Sequence, residues 1–330
     1  MGDQRARKGD RGLRTVVIAL PFTETHLARL RARFPDVDFR SVEPSRVSEA
    51  VTDADAVAAW YLDPEDVKSA PALRWLQTGG AGVEGVLHPV LIERGILLTN
   101  ASGVHAVNIA EHVMAMMLSF ARGFPTLLRN QIKHEWKDDV VRSHVFELQD
   151  QRLLVVGLGD IGMALAHRAS AFGMEVFGVR RRLNQPVPDG IQRIGTVEEL
   201  PDLLPLADHV AICLPLTAQT AGLFDRRLLS TMQPSSYLYN IGRGGVVRTE
   251  DLIDALHKGG IAGAGLDVTD PEPLPAASPL WSMENVIITA HTSGGTPRYW
   301  DRALDLFEDN IDRFITGQPL RNVVDLAEGY

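Results

Sequence analysis

The sequence predicts an α/β fold made of two parallel-sheet units. Short apolar runs of strand character alternate with helical segments from Thr15 onward, which is the pattern of βα units. The series runs to Asn100, meets a long apolar helix, and then begins afresh at Gln149. At 330 residues the chain has room for about two domains of ordinary size.

The elements follow in order. "TVVIAL" reads as a strand and "TETHLARLRARF" as a helix with Thr23 at its N-cap. "AVAAWY" is a second strand, followed by a helix with Pro64 in its first turn. "LRWLQTGGAGVEGV" is a strand running into a glycine-rich turn, and "GILLTN" is another strand. "VNIAEHVMAMMLSFAR" is a helix with weak sidedness, which implies burial on most faces. A second helix follows Pro125. "RLLVV", "MEVFGV", "HVAICLP", "SYLYNIG", "IAGAGLDV" and "NVIITAH" are the strands of the second set. A last amphipathic helix, "RYWDRALDLFEDNIDRFITG", ends at Gly317 and Pro319. It follows the second set, so it can return to the first unit and make that unit discontinuous.

Composition excludes several classes. Hydrophobic residues make up 45% and charged residues 23%, as in a soluble globular protein. The net charge is −9 and the cations are scattered, which argues against a nucleic-acid partner. Cys213 is the single cysteine, so no internal disulfide framework exists and a reducing, cytoplasmic location is expected. There is no apolar run of about 18 residues, so no membrane span is expected. "MGDQRARKGDRGLR" lacks an apolar core, so it does not read as a secretory signal. Residues 1–13 are expected to be a disordered tail. No metal site is expected.

The motif with the clearest chemistry is "VVGLGDIG". Gly157, Gly159 and Gly162 lie between a strand and a helix, the context that a dinucleotide-binding glycine motif requires. Gly157 permits the tight turn, Gly159 the approach of a pyrophosphate, and Gly162 the packing of helix on strand. The free N–H groups of the helix start suit phosphate oxygens. The second unit is therefore expected to be a Rossmann-type dinucleotide-binding domain. In such a domain the next strand usually ends in a carboxylate that takes the adenine ribose hydroxyls. Here "GVRRRL" supplies Arg180, Arg181 and Arg182 instead. Arginines at that place suit a 2′-phosphate, so NADP(H) is favoured, with NAD(H) as the alternative.

Ligands in open α/β sheets bind beyond the carboxyl ends of the strands. Those ends carry Arg243, then Asp267 with Glu272 close behind, then His291. Taken singly, each reads as a surface cation, a turn residue or a structural histidine. Together, downstream of a phosphate turn, they can build a proton-transfer site.

At this point the chain resembles the D-isomer-specific 2-hydroxyacid dehydrogenases, in their glyoxylate/hydroxypyruvate reductase-like branch. "GLGDIG", "CLPLTAQTAGLF", "NIGRGGVV", "AGAGLDV…PEPL" and "ITAHTSG" are similar to that family's blocks, in its order. The resemblance implies hydride transfer between a nicotinamide and C2 of a small 2-oxo or 2-hydroxy acid of D configuration. It puts the catalytic triad on Arg243, Glu272 and His291, and it implies cofactor contacts from Asp160, Ile161, Cys213, Leu214, Pro215, Thr220, Ile241, Gly242, Asp267, Ser293 and Gly294. Gly80, Ala81 and Gly82, with Arg243, would bind the substrate carboxylate. Trp60, Tyr61, Trp136 and Tyr299 stand as alternative pocket walls.

The family fold implies a smaller, flavodoxin-like substrate domain over 1–101 and 299–330. The dinucleotide domain would span 102–298, with homodimerisation through the helices near 107–134 and the Trp136 region. Two relatives are disfavoured. Formate dehydrogenases carry glutamine where Glu272 stands, and phosphite dehydrogenases carry lysine where Ala81 stands. A nucleotide-sensing scaffold of the C-terminal binding protein type and a phosphoglycerate-dehydrogenase-like enzyme remain as alternatives.

Overall fold

The computed structural model describes residues 12–326, apart from Glu84, Arg182, Asn184 and Gln185. It divides into two compact units. One runs to Val104 and resumes at Thr296, and the other is His105–Gly295.

The first unit is a parallel sheet of β1 (Thr15–Ala19), β2 (Asp38–Ser41), β3 (Ala56–Ala59), β4 (Trp75–Thr78) and β5 (Leu97–Thr99), in the order β2-β1-β3-β4-β5. This is the flavodoxin-like order. β1, β3 and β4 are buried throughout, so they read as unbroken apolar runs. β2 has no such run. It is a short edge strand in which only Phe39 is buried, and the sequence pattern did not reveal it. Leu13, expected in the tail, is 5% exposed and packs in this unit's core. Helix starts follow the local chemistry. Thr23 accepts from His26 N, and Asp63 accepts from Glu65 N ahead of Pro64.

The closing helix, Tyr299–Thr316, belongs to this unit. Its buried stripe of Tyr299, Ala303, Leu304, Phe307 and Ile311 enters the same core as β1. It also makes polar contacts with the Glu24–Arg33 helix. His26 and Arg29 on the Glu24–Arg33 helix meet Asp301 at 3.0 Å and Asp305 at 2.7 Å. Arg29 and Arg33 both reach Glu308, which is 1% exposed. A carboxylate buried to that degree requires such partners.

The second unit holds β6 (Arg152–Val156), β7 (Glu175–Val179), β8 (Arg193–Gly195), β9 (His209–Ile212), β10 (Tyr237–Asn240), β11 (Gly263–Leu266) and β12 (Val286–Ile288). The order is β12-β11-β10-β9-β6-β7-β8, with every pairing parallel. Chain order reverses between β6 and β9, the switch point at which a doubly wound sheet binds its ligand. β8, a three-residue edge strand, is again a strand without an apolar run. The Ala106–Ala121 helix buries one side, including Ile109, Val113, Met116, Met117 and Phe120, and not most of its faces as its weak sidedness implied. By contrast, the Phe124–Ile132 helix buries none of its residues. No helix among the described residues is long and apolar enough to cross a membrane.

One polar group sits in this core without serving the strand ends. His209 is fully buried, with Nδ1 3.0 Å from the Tyr239 hydroxyl and Nε2 2.6 Å from Gln151 Oε1. The neutral ring satisfies both partners by donating to Gln151 and accepting from Tyr239. Burial pushes its pKa down to about 3, against ~6.5 in an unfolded chain. Between those values the unfolded chain takes up a proton that the folded chain refuses. The histidine's contribution is therefore intact above pH ~6.5 and is lost as pH falls toward 3. Urea midpoints should drop between pH 7 and 5. The drop should be smaller in His209→Asn, even though that variant starts less stable.

Candidate active site

The glycine turn has the shape a pyrophosphate needs. Gly157 sits at φ +108, and a Cβ there would stand 2.9 Å from the Cys213 carbonyl oxygen. A Cβ on Gly162 would overlap the Gly157 carbonyl, so the helix can start this close to β6 only with glycine. Gly159 has open space where its Cβ would be. It caps the Asp160–Ala171 helix without a side-chain hydrogen bond, the kind of helix start at which backbone N–H groups suit phosphate oxygens. These features fit a dinucleotide.

β7 ends beside this turn, with Gly157 N and Leu158 N both donating to the Val179 carbonyl. Arg180 follows, half-buried, its Nη2 donating to the Pro186 carbonyl at 3.2 Å. Arg181 is exposed, and Arg182 lies outside the described residues.

Other expected cofactor contacts divide by environment. Cys213 and Leu214 follow β9, and burial pushes the Cys213 thiol up to about 12, which removes it as a nucleophile. Pro215 is exposed, and its carbonyl accepts from the Thr220 hydroxyl at 2.6 Å. Thr220 thus closes its own turn. Ile241 is 5% exposed and packs in the core, so its side chain is structural. The glycines beside Arg243 have a reason other than ligand approach. A Cβ on Gly242 would overlap the Leu214 carbonyl, and one on Gly244 the Thr269 carbonyl.

Arg243 is half-buried, with Nη1 donating to the Gly242 carbonyl at 2.9 Å. Asn240, 1% exposed at the end of β10, ties this loop at both sides. Its Oδ1 accepts from Gly242 N at 3.2 Å, and its Nδ2 donates to the Arg243 carbonyl at 3.1 Å. Sequence reasoning missed Asn240, although a polar residue ending a buried strand was a visible signal.

His291 and Glu272 come together, with Nδ1 to Oε1 at 2.6 Å. Both are exposed, and the hydrogen bond fixes which imidazole nitrogen faces away. His291 and its neighbour Ala290 hold φ values of 54 and 48, the left-handed region that side chains disfavour. Asp267 imposes that turn. Its backbone carbonyl accepts from His291 N at 2.6 Å. Its buried carboxylate accepts from Thr289 Oγ1 at 2.7 Å, Thr292 N at 2.9 Å, and the backbone and hydroxyl of Ser293. Burial alone would raise this carboxyl's pKa. The hydrogen bonds outweigh that and hold it below its usual value, so it is ionised.

In the first unit, β4 runs into the expected carboxylate turn. Gly80 is half-buried, while Ala81 and Gly82 are exposed. The Tyr299 hydroxyl donates to the Gly79 carbonyl, so Tyr299 braces the turn. Trp60, 47% exposed, packs beside it. A Cβ on Gly79 would stand 3.2 Å from the indole.

Comparison with known proteins agrees with this geometry. Residues 114–293 match the family model "D-isomer specific 2-hydroxyacid dehydrogenase, NAD binding domain". A glyoxylate/hydroxypyruvate reductase B of Yersinia pestis bv. Antiqua is 35% identical over 266 residues, covering 80% of this chain and 81% of that one. A D-3-phosphoglycerate dehydrogenase of Methanocaldococcus jannaschii is 30% identical over 84% of this chain, which spans 53% of that protein's length. The crystal structure of an NADPH-dependent glyoxylate/hydroxypyruvate reductase from Sinorhizobium meliloti, with NADP and sulfate, superposes with a TM-score of 0.77 at 28% identity. It covers 96% of this chain and 100% of that one. The chain belongs to the D-isomer-specific 2-hydroxyacid dehydrogenase family of NAD(P)-dependent oxidoreductases.

Proposed function

We propose that this dehydrogenase reduces a small 2-oxo acid, such as glyoxylate or hydroxypyruvate, to the D-2-hydroxy acid, with NADPH preferred. The observation that carries the reading is the His291–Glu272 pair at 2.6 Å on the strand-end turn. A bound reduced nicotinamide supplies a hydride to C2 of the substrate. His291 supplies the proton. With Nδ1 committed to Glu272, Nε2–H is the group that donates to the carbonyl oxygen. Glu272 orients the ring and balances the charge of the imidazolium before transfer. Arg243, a planar fork on a loop pinned by Asn240, binds the substrate carboxylate. Backbone N–H groups of Gly80, Ala81 and Gly82 assist it. In this assignment Asp267 takes the nicotinamide amide, and Gly157, Gly159 and Gly162 hold the pyrophosphate.

Removing an acid–base group typically costs ~100- to 10,000-fold. His291→Gln should therefore lose at least ~100-fold in NADPH oxidation with a panel of 2-oxo acids, while dinucleotide binding persists. Glu272→Gln should lose less. A His291→Gln enzyme with nearly parental kcat would remove the histidine from the mechanism.

The cofactor preference rests on Arg180, half-buried at the end of β7, and on exposed Arg181. Each charge-assisted hydrogen bond to a 2′-phosphate is worth ~1.5 to 3 kcal/mol, which corresponds to a preference above about tenfold. Arg180→Asp should shrink or invert that preference and leave the maximal rate with the better cofactor little changed. Equal catalytic efficiency of the parent with NADPH and NADH would refute it.

We also propose a homodimer. Phe124, Leu128, Ile132 and Trp136 are 49%, 53%, 80% and 96% exposed, an apolar face of a kind that monomers rarely show. Ile132→Glu should shift sedimentation toward the monomer. A parent protein that is already monomeric at micromolar concentration would contradict this.

A further inference from the structure

The Ala106–Ala121 helix carries a polar stripe that the proposed function does not use. Its N-cap residue His105, then Asn108 and His112, recur at helical spacing and so share one face. All three reach the segment that bears His291. His105 Nδ1 lies 3.0 Å from the Gly294 carbonyl, and Asn108 Nδ2 donates to the Ser293 carbonyl at 2.7 Å. His112 Nε2 lies 2.8 Å from Thr289 Oγ1. The stripe thus grips Thr289 on one side of His291 and Ser293–Gly294 on the other.

The His112 contact has a directional consequence. A threonine hydroxyl has one hydrogen and can rotate to suit its neighbours. Thr289 Oγ1 stands 2.7 Å from Asp267 Oδ1, an ionised acceptor that has no hydrogen to give. The hydroxyl must therefore donate to Asp267, and it can only accept from His112. That requires the proton on His112 Nε2. The chain His112 Nε2–H, Thr289 O–H, Asp267 carboxylate has one consistent polarity. It ends on the group that also holds Thr292 N and Ser293 N, the residues just after His291.

We propose that His112 is a positioning residue. Through Thr289 it fixes the Asp267 carboxylate and the Ala290–Ser293 turn, and so the placement of His291 against the nicotinamide end of the site. This rests on the reading that Asp267 takes the nicotinamide amide.

The test compares His112→Ala, His112→Gln, Thr289→Val and the His112→Ala/Thr289→Val double variant. Calorimetry measures binding of NADPH and of 2′-phosphoadenosine 5′-diphosphoribose, which lacks the nicotinamide. His112→Ala should weaken NADPH roughly tenfold and the fragment less than about twofold. His112→Gln can place an amide N–H where Nε2 was, and should recover binding to within about threefold. The double variant should be no weaker than the weaker single one, because both break the same chain.

Equal weakening of both ligands, failure of glutamine to rescue, or additive losses would overturn the proposal. If the parent binds both ligands equally, the nicotinamide assignment of Asp267 falls. The relay is then judged in the protein without ligand by nitrogen-15 NMR of the imidazole. A His112 Nε2 proton that exchanges slowly in the parent and fast in Thr289→Val supports the relay. Equal exchange in the two overturns it. Should His112→Ala fail to fold, the glutamine and Thr289→Val variants carry the same comparisons.

Discussion

The buried carboxylate of Asp267 is the constraint on which the strand-end chemistry depends. A carboxylate taken out of water must be compensated, and here the compensation comes from the chain leaving β12. Thr289, Thr292 and Ser293 can all reach it only if the chain between them turns back tightly. Ala290 and His291 adopt left-handed φ values as a result. Strain of this kind persists only where the surroundings over-determine it. The hydrogen bonds that keep the carboxylate ionised thus also fix the backbone of the histidine that pairs with Glu272. Charge state and geometry at this site are one problem with one solution.

The same economy of space governs the glycines. Gly157, Gly162, Gly242 and Gly244 each lie where a Cβ would press on a neighbouring backbone, from Cys213 to Thr269. They let β6, β9, β10 and the segment after β11 converge beyond the switch point. Gly159 differs, because its missing Cβ faces open space. Packing therefore explains four of these glycines, and it does not explain the fifth. A glycine-rich sequence alone does not separate the two uses.

This contrast shows how much the sequence made legible. The central strands were plain because burial on both faces makes them continuous apolar runs. β2 and β8 were invisible because each is short and carries no apolar run. The pairing of His291 with Glu272 came from the resemblance and from strand-end logic, and the 2.6 Å contact agrees with it. Other side chains have tertiary contacts that the sequence could not show. Thr220 is held within its own turn, and Ile241 points into the core. His112 drew no notice in "AEHVMAMM", because its partner Thr289 is 177 residues away and periodicity carries no information about such a contact. Asn108 was hidden in the same way.

The first unit meets a different demand with different means. The turn after β4 is only partly buried at Gly80 and exposed at Ala81 and Gly82, so burial does little to hold it. It is braced from beneath. The Tyr299 hydroxyl donates to the Gly79 carbonyl, and burial pushes that phenol's pKa up to about 12, so it remains a donor across the working pH range. Trp300 packs edge-on against Trp60, whose indole lies along Gly79. Both braces come from the first turn of the closing helix, far along the chain from the turn they support. That helix must therefore return to the first unit, and Glu308, sealed between Arg29 and Arg33, holds it there. The turn after β4 is thus finished by residues from the far end of this discontinuous unit.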